Sequence, residues 1–330
     1  MRMRWMRFFQ LALLALWMLS TPLAAGSRSI TVGALAYGTL NWELTVIRRE
    51  GLDRRQGFDL EIRTLANPQA GRIALQGGTV DIIVTNWLWA ARQRNQGIGF
   101  SAVPYSLTHG ALIVPAGSPV HTIGDLAGKR IGVAGSPLYE NWLLLKALAK
   151  RAYNLDLERA ATPVFGAPPL LNQQMTQGRL DALLNYWHYA ARLEARGYKR
   201  LLDGKDLLES LGIQPPVPTL SYVFRDRWAG DRKDTLDAFL RAAYGAKDAI
   251  CTNPRVWQYI APLSGSDDRG VRAALRKRYC EGRVRSWGKA EIHAAKKLYA
   301  LLRQEGGEKL TGKAETLPRG TFWPHFVLPR

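Results

Sequence analysis

Residues able to hold a small molecule gather at four places in the chain. They are Tyr37-Gly38-Thr39 with Asn41 and Trp42, Thr85-Asn86-Trp87, Ser136 with Tyr139, and Asn185-Tyr186-Trp187-His188. Each place sets neutral hydrogen-bonding groups beside aromatic rings, a composition suited to binding. Patterns for reaction chemistry are missing. Gly307–Lys313 has phosphate-loop spacing, but Ala314 stands where Ser or Thr is required and a helix, not a strand, precedes it. Gly124–Lys129 is one residue short for the same motif. There is no G-x-S-x-G and no H-E-x-x-H. The five histidines, His109, His121, His188, His293 and His325, show no metal-ligand spacing, and neither do the cysteines. No nucleophile with its base can be picked out, and the expectation is no catalytic residue, no metal and no cofactor.

The elements that position these residues read as alternating strands and helices. Ser29–Leu35, Phe58–Leu65, Val80–Val84, Gly110–Pro115, Lys129–Ala134, Pro163–Gly166 and Lys199–Leu202 are strand-like, with helical spacing between them. Asn67-Pro68 is a helix start, and Ser136-Pro137 reads as another, opening a helix over Leu138–Ala152. Such alternation builds β-α-β units and a mostly parallel sheet, with ligands at the carboxyl ends of the strands. A repeat divides the pattern. Gly78, Asp81, Trp87, Ala90-Ala91-Arg92 and Gly97 recur one hundred positions later as Gly178, Asp181, Trp187, Ala190-Ala191-Arg192 and Gly197. Two copies predict two similar domains facing each other. Asp81 and Asp181 fall at the amino ends of their strands, away from the ligand edge, so a turn or capping role is expected. Trp87 and Trp187, at strand-to-helix turns, are expected to line the pocket. Trp142, inside a helix, is expected in the core. After the Pro-rich stretch Gln214–Pro218 comes the strand Thr219–Phe224. From Asp234 onward the chain is helical, ending in a surface tail from Gly306.

Met1–Gly26 stands apart. Arg2, Arg4 and Arg7, the apolar run Phe8–Ser20 and the small residues Ala24-Ala25-Gly26 form the pattern of a cleavable secretory signal peptide. The net charge of +19 is scattered, densest over Arg272–Arg285. For an exported chain this argues against nucleic acid as partner and for a solvated basic surface. An isolated pair, Cys251 and Cys280, is expected to bond in an oxidising compartment.

The residues also resemble a known family, the periplasmic solute-binding proteins of ABC importers, in the branch serving sulfonates, nitrate, taurine and thiamine precursors. The likeness is carried by Ile30–Gly38, Arg48–Leu52, Ala74–Asp81, Thr122–Val133, Gln177–Ala182, Arg232–Leu240 and Ile250–Pro254. The resemblance implies a two-lobed type II periplasmic-binding-protein fold, α/β, with two doubly wound domains joined by two crossing strands. The crossings would fall near Thr108–Val114 and Val217–Val223. Domain I would be discontinuous, residues 27–110 and 219–330, and domain II would be residues 111–218. It implies a periplasmic, monomeric, non-enzymatic receptor that closes on a solute and hands it to a membrane permease with an ATPase. An enzyme on the same fold, akin to a pyrimidine-precursor synthase, and a periplasmic accessory or sensor protein are the alternatives. The ligand set would be Tyr37, Gly38, Thr39, Asn41, Trp42, Thr85, Asn86, Trp87, Ser136, Tyr139, Tyr186, Trp187 and His188. Helix N-termini after Thr39 and Pro137 would favour an anion. No Arg falls in these loops, however, which also leaves open a flat heteroaromatic, or a quaternary ammonium near Glu43 or Glu140. Thiol titration of the unreduced, denatured protein is expected to find no free thiol; two would reject the Cys251–Cys280 bond.

Overall fold

The computed structural model describes residues 28–36 and 38–329; the expected signal peptide and Tyr37 lie outside the described residues. The strands are β1 (Ser29–Leu35), β2 (Asp59–Leu65), β3 (Ile82–Asn86), β4 (Phe100–Ser106), β5 (Ala111–Val114), β6 (Arg130–Ala134), β7 (Thr162–Gly166), β8 (Ala182–Asn185), β9 (Lys199–Asp203) and β10 (Leu220–Arg225). The longer helices are α1 (Leu40–Arg49), α2 (Pro68–Gln76), α3 (Trp87–Arg94), α4 (Glu140–Tyr153), α5 (Pro168–Thr176), α6 (Trp187–Glu194), α7 (Lys233–Thr252), α8 (Arg269–Glu281) and α9 (Lys289–Thr311). The strands form two five-stranded sheets, ordered β2-β1-β3-β10-β4 and β7-β6-β8-β5-β9. In each, one strand runs against the rest: β10 is antiparallel to β3 and β4, and β5 to β8 and β9. These two strands are where the chain enters the other sheet and comes back. The result is a two-lobed α/β fold.

The repeat is visible in the local geometry. Helices α2 and α5, and α3 and α6, begin one hundred residues apart. Asp81 donates its N–H to Thr31 O and accepts the Thr31 N–H on its carboxylate at 2.9 Å. Asp181 does the same with Arg130, at 2.7 Å. Each aspartate thus fastens the start of its strand to the neighbouring one, a structural role. Before each, Gly78 and Gly178 take left-handed φ of 77° and 68°, which a side chain would strain. Asn67 caps α2 by accepting from Ala70 N at 2.9 Å, with Pro68 in the first helical position.

Three readings change. Phe100–Ser106 is a strand that the sequence pattern hides, because Pro104 interrupts it; it lies at the edge of its sheet, where proline is tolerated. The helix after β6 begins at Glu140, with Tyr139 as its N-cap, not at Leu138 after Ser136. The C-terminal segment is not a loose surface tail. Helix α9 runs to Thr311, and Ala102 exchanges backbone hydrogen bonds with Thr321 and Trp323 at 2.8 and 3.0 Å. Cys251 and Cys280 are bonded.

The first lobe closes around a buried ion pair. Glu43 is fully buried and Lys247 is 3 % exposed, with Nζ 2.6 Å from Glu43 Oε1. Tyr279 and Tyr222 donate to the same carboxylate at 2.7 and 2.8 Å, and the Lys247 ammonium stands 3.7 Å from the Tyr105 ring centre. A carboxylate with an aromatic cage for an ammonium does exist here, but Lys247 fills it; Glu43 is not open to a ligand cation. Burial pulls the Lys247 ammonium down, and Glu43 opposes that pull. Lys247→Met leaves Glu43 charged and unpaired in the core. It is expected to cost about 3–5 kcal/mol in denaturant unfolding, and adding Glu43→Gln should restore part of that loss.

Candidate functional site

The carboxyl ends of β3 and β8 and the turns after β1 and β6 supply the candidate site. From the first lobe come Thr85 and Asn86. Asn86 caps α3, accepting from Leu88 N at 2.8 Å, and its Nδ2 donates to Glu140 Oε1 of the second lobe at 2.5 Å. The sequence reading finds no Arg in the loops, but one reaches the site from a helix. Arg72, on α2, donates to the buried Thr85 Oγ1 at 3.4 Å and lies 5.6 Å from the Trp89 ring centre. Its Nε is buried without a hydrogen-bond partner. Burial lowers the Arg72 pKa, with the charge of Glu140 opposing. Glu140 moves the other way: burial raises its carboxyl, while its own backbone N–H and Arg72 pull it down. Gly71 gave a signal for Arg72. A Cβ at Gly71 would sit 3.1 Å from the Leu65 side chain, so this small residue lets α2 lie close on the sheet.

From the second lobe, Tyr139 and Tyr186 meet edge to face at 5.4 Å. Tyr139 accepts from Asn141 at 3.1 Å, and burial raises its phenol well above the usual range. His188 stands 6.3 Å from Tyr186 and 4.6 Å from Tyr189 by ring centres, and burial followed by the Arg192 charge lowers its imidazole to about 4. His188 opens onto a cavity of about 530 Å³ lined from both lobes, by Gly38, Thr39 and Trp42 on one side and Asn172, His188 and Arg192 on the other. Thr39 Oγ1 is 3.4 Å from Tyr105 OH. Trp42 is 2 % exposed and its indole N–H has no partner.

Other expected site residues turn elsewhere. Trp87 is fully buried, donates to Pro218 O at 2.8 Å and meets Phe322 at 5.5 Å; it is core, because these residues of the chain's C-terminal half cover it. Trp187 is 8 % exposed and lies against Tyr279 and His188, a wall behind the site. Asn41 turns back to Leu35 O at 2.8 Å, closing the turn after β1. Ser136 is exposed and accepts from Leu138 N at 3.3 Å. Asn185 is fully buried, donating to Pro168 O and Asn172. Trp142 is core, as its helical position suggests.

Residues 44–256 match a protein family described as NMT1/THI5 like. No curated protein matches the sequence. Among solved structures, the fold is similar to the periplasmic aliphatic sulphonate binding protein SsuA from Escherichia coli. That match has 20% identity and a TM-score of 0.70, over 90% of this chain and 92% of that one. It is also similar to the alkanesulfonate-binding protein SsuA from Xanthomonas axonopodis pv. citri bound to MOPS, at 18% identity and TM-score 0.65, over 91% and 99%. A cysteine-to-serine mutant of DSZB in complex with biphenyl-2-sulfinic acid matches at 15% identity and TM-score 0.54, over 89% and 98%. At these identities the likeness establishes the two-lobed α/β fold.

One buried and one half-buried imidazole make stability depend on pH. His109, 5 % exposed, is also held at about 4 by burial, which outweighs the Asp203 charge and the Val217 backbone. An unfolded histidine titrates near 6.5, so below that value the unfolded chain binds more protons. The melting temperature is expected to hold above pH 6.5 and to fall between pH 6.5 and 4. A His109→Gln/His188→Gln variant should show a flatter profile across that window.

Proposed function

The chain belongs to the NMT1/THI5-like family, and from that premise we propose that it is an extracytoplasmic solute-binding receptor of an ABC-type importer. Its solute is a small organic anion of the sulfonate kind. The observation that carries this reading is Arg72, a half-buried guanidinium at the carboxyl end of β3 with an unpartnered Nε, beside Thr85 and Asn86. A guanidinium presented this way suits a sulfonate head better than an ammonium does, because its planar fork matches two oxygens at once. Tyr139, Tyr186 and His188 provide the walls for an organic tail, and Thr39 and Trp42 the floor of the adjoining cavity. The binding of MOPS by one protein of this fold and of a sulfinic acid by another supports the ligand class.

In this reading residues 27–110 and 219–330 form one lobe and residues 111–218 the other, and the ligand lies between them. Closure is a hinge motion biased by contacts to both lobes. The basic, apolar and small-residue order of the first 26 residues supports export to the periplasm, and the partners are then a membrane permease and its ATPase. The enzyme alternative has less to draw on. Both cysteines are committed to the Cys251–Cys280 bond, so neither offers a thiol, and His188 is held in its neutral form at physiological pH.

Isothermal titration of ethanesulfonate into the protein is expected to give saturable one-to-one binding with no product formed. Arg72→Gln should weaken it at least about tenfold, the loss of one charge-assisted contact. Conversion of the titrant by the isolated protein, or affinity indifferent to Arg72, would reject the proposal.

A further inference from the structure

The donors that would greet an anion are not idle in this structure. Asn86 Nδ2 is held at 2.5 Å by a carboxylate oxygen of Glu140, and the Arg72 guanidinium feels the same carboxylate. Glu140 comes from the first turn of α4, across the cleft from α2 and β3. We infer that Glu140 is a built-in competitor, a specificity residue whose carboxylate occupies the anion position of the cleft and latches the two lobes together when no ligand is bound. The inference rests on the receptor reading above and deepens it.

The chemistry of the seat supports it. A carboxylate and a sulfonate offer the same thing to Asn86 and Arg72: oxygens carrying negative charge with no proton to donate. Two such groups cannot share one seat without like-charge repulsion at close range. The guanidinium feels this carboxylate but makes no ion pair with it and keeps its Nε unpartnered, so Glu140 holds Asn86 without satisfying Arg72. Burial also raises the Glu140 carboxyl, which weakens its claim on the donors relative to a sulfonate, an anion at any ordinary pH. The first turn of α4 favours a negative charge, so the position is stable for Glu140 and equally receptive to what replaces it. An entering anion must displace Glu140, and the cleft therefore rejects anions that bind the seat no better than a carboxylate does.

The test is a gain of affinity, which general damage to the cleft would not produce. Ethanesulfonate is titrated calorimetrically into the unsubstituted protein and into Glu140→Gln and Glu140→Ala, with melting temperatures recorded for each. Both variants are expected to bind roughly tenfold more tightly than the unsubstituted protein. They should also bind acetate, which the unsubstituted protein should reject. Unchanged or weaker ethanesulfonate binding in two folded variants overturns the inference and leaves the receptor reading standing. Ethanesulfonate binding to none of the three proteins overturns both.

Discussion

The first lobe depends on one buried charge pair. Placing Glu43 and Lys247 together in the core carries a large desolvation penalty for both ions, and only their mutual attraction plus a full set of hydrogen bonds offsets it. That set is assembled from distant parts of the chain: Glu43 on α1, Tyr222 on β10, Lys247 on α7 and Tyr279 on α8, with Tyr105 on β4 beneath the ammonium. Removing any one of these elements leaves a charge or a phenol unsatisfied in an apolar surrounding. The pair therefore locks the start of the chain to its C-terminal half. It also fixes α1, whose first turn carries Thr39 and Trp42 to the cavity.

The second lobe meets the first through buried apolar contact, with Trp187 against Tyr279 and Ala191 in the same core cluster, and through partly buried charge. Glu194 on α6 receives Arg278 from α8 at 2.5 Å and Arg200 at 2.9 Å. Arg192, two residues earlier, donates to Ser264 O. These ion pairs are reached by water as the Glu43–Lys247 pair is not.

Much of this was legible in the chain. The hundred-residue repeat predicted two like lobes because Gly78, Asp81 and their counterparts fix backbone geometry locally, through a left-handed turn and a reciprocal hydrogen-bond pair. Asn67-Pro68 declared its helix for the same reason: cap and first turn are decided within four residues. The site was less legible. Arg72 belongs to it through the reach of a side chain from a helix thirteen positions before Thr85, and reach depends on how closely α2 lies on the sheet. Ser136-Pro137 gave a false helix start, since Ser136 satisfies only Leu138 and the regular turns begin at Tyr139. That shift placed Glu140, not a bare N-terminus, at the cleft. Trp87 and Trp187 look equivalent in the repeat, yet Pro218 and Phe322 cover the first completely, while Tyr279 and His188 leave the second 8 % exposed.

The antiparallel strand in the first sheet sets an order of events for the growing chain. Strands β3 and β4 do not pair with each other; β10 lies between them, and it arrives more than a hundred residues after β4 ends. Until then two strands of the first sheet wait with unpaired edges, and the Ala102 edge waits longer still, for Thr321–Trp323. Such long-range pairing slows folding, because the intervening loop must close first. In a nascent chain of this design the first sheet, unlike the second, stays open until nearly all of the chain has been made. That is the condition in which a polypeptide can be threaded through a membrane pore before it folds on the other side.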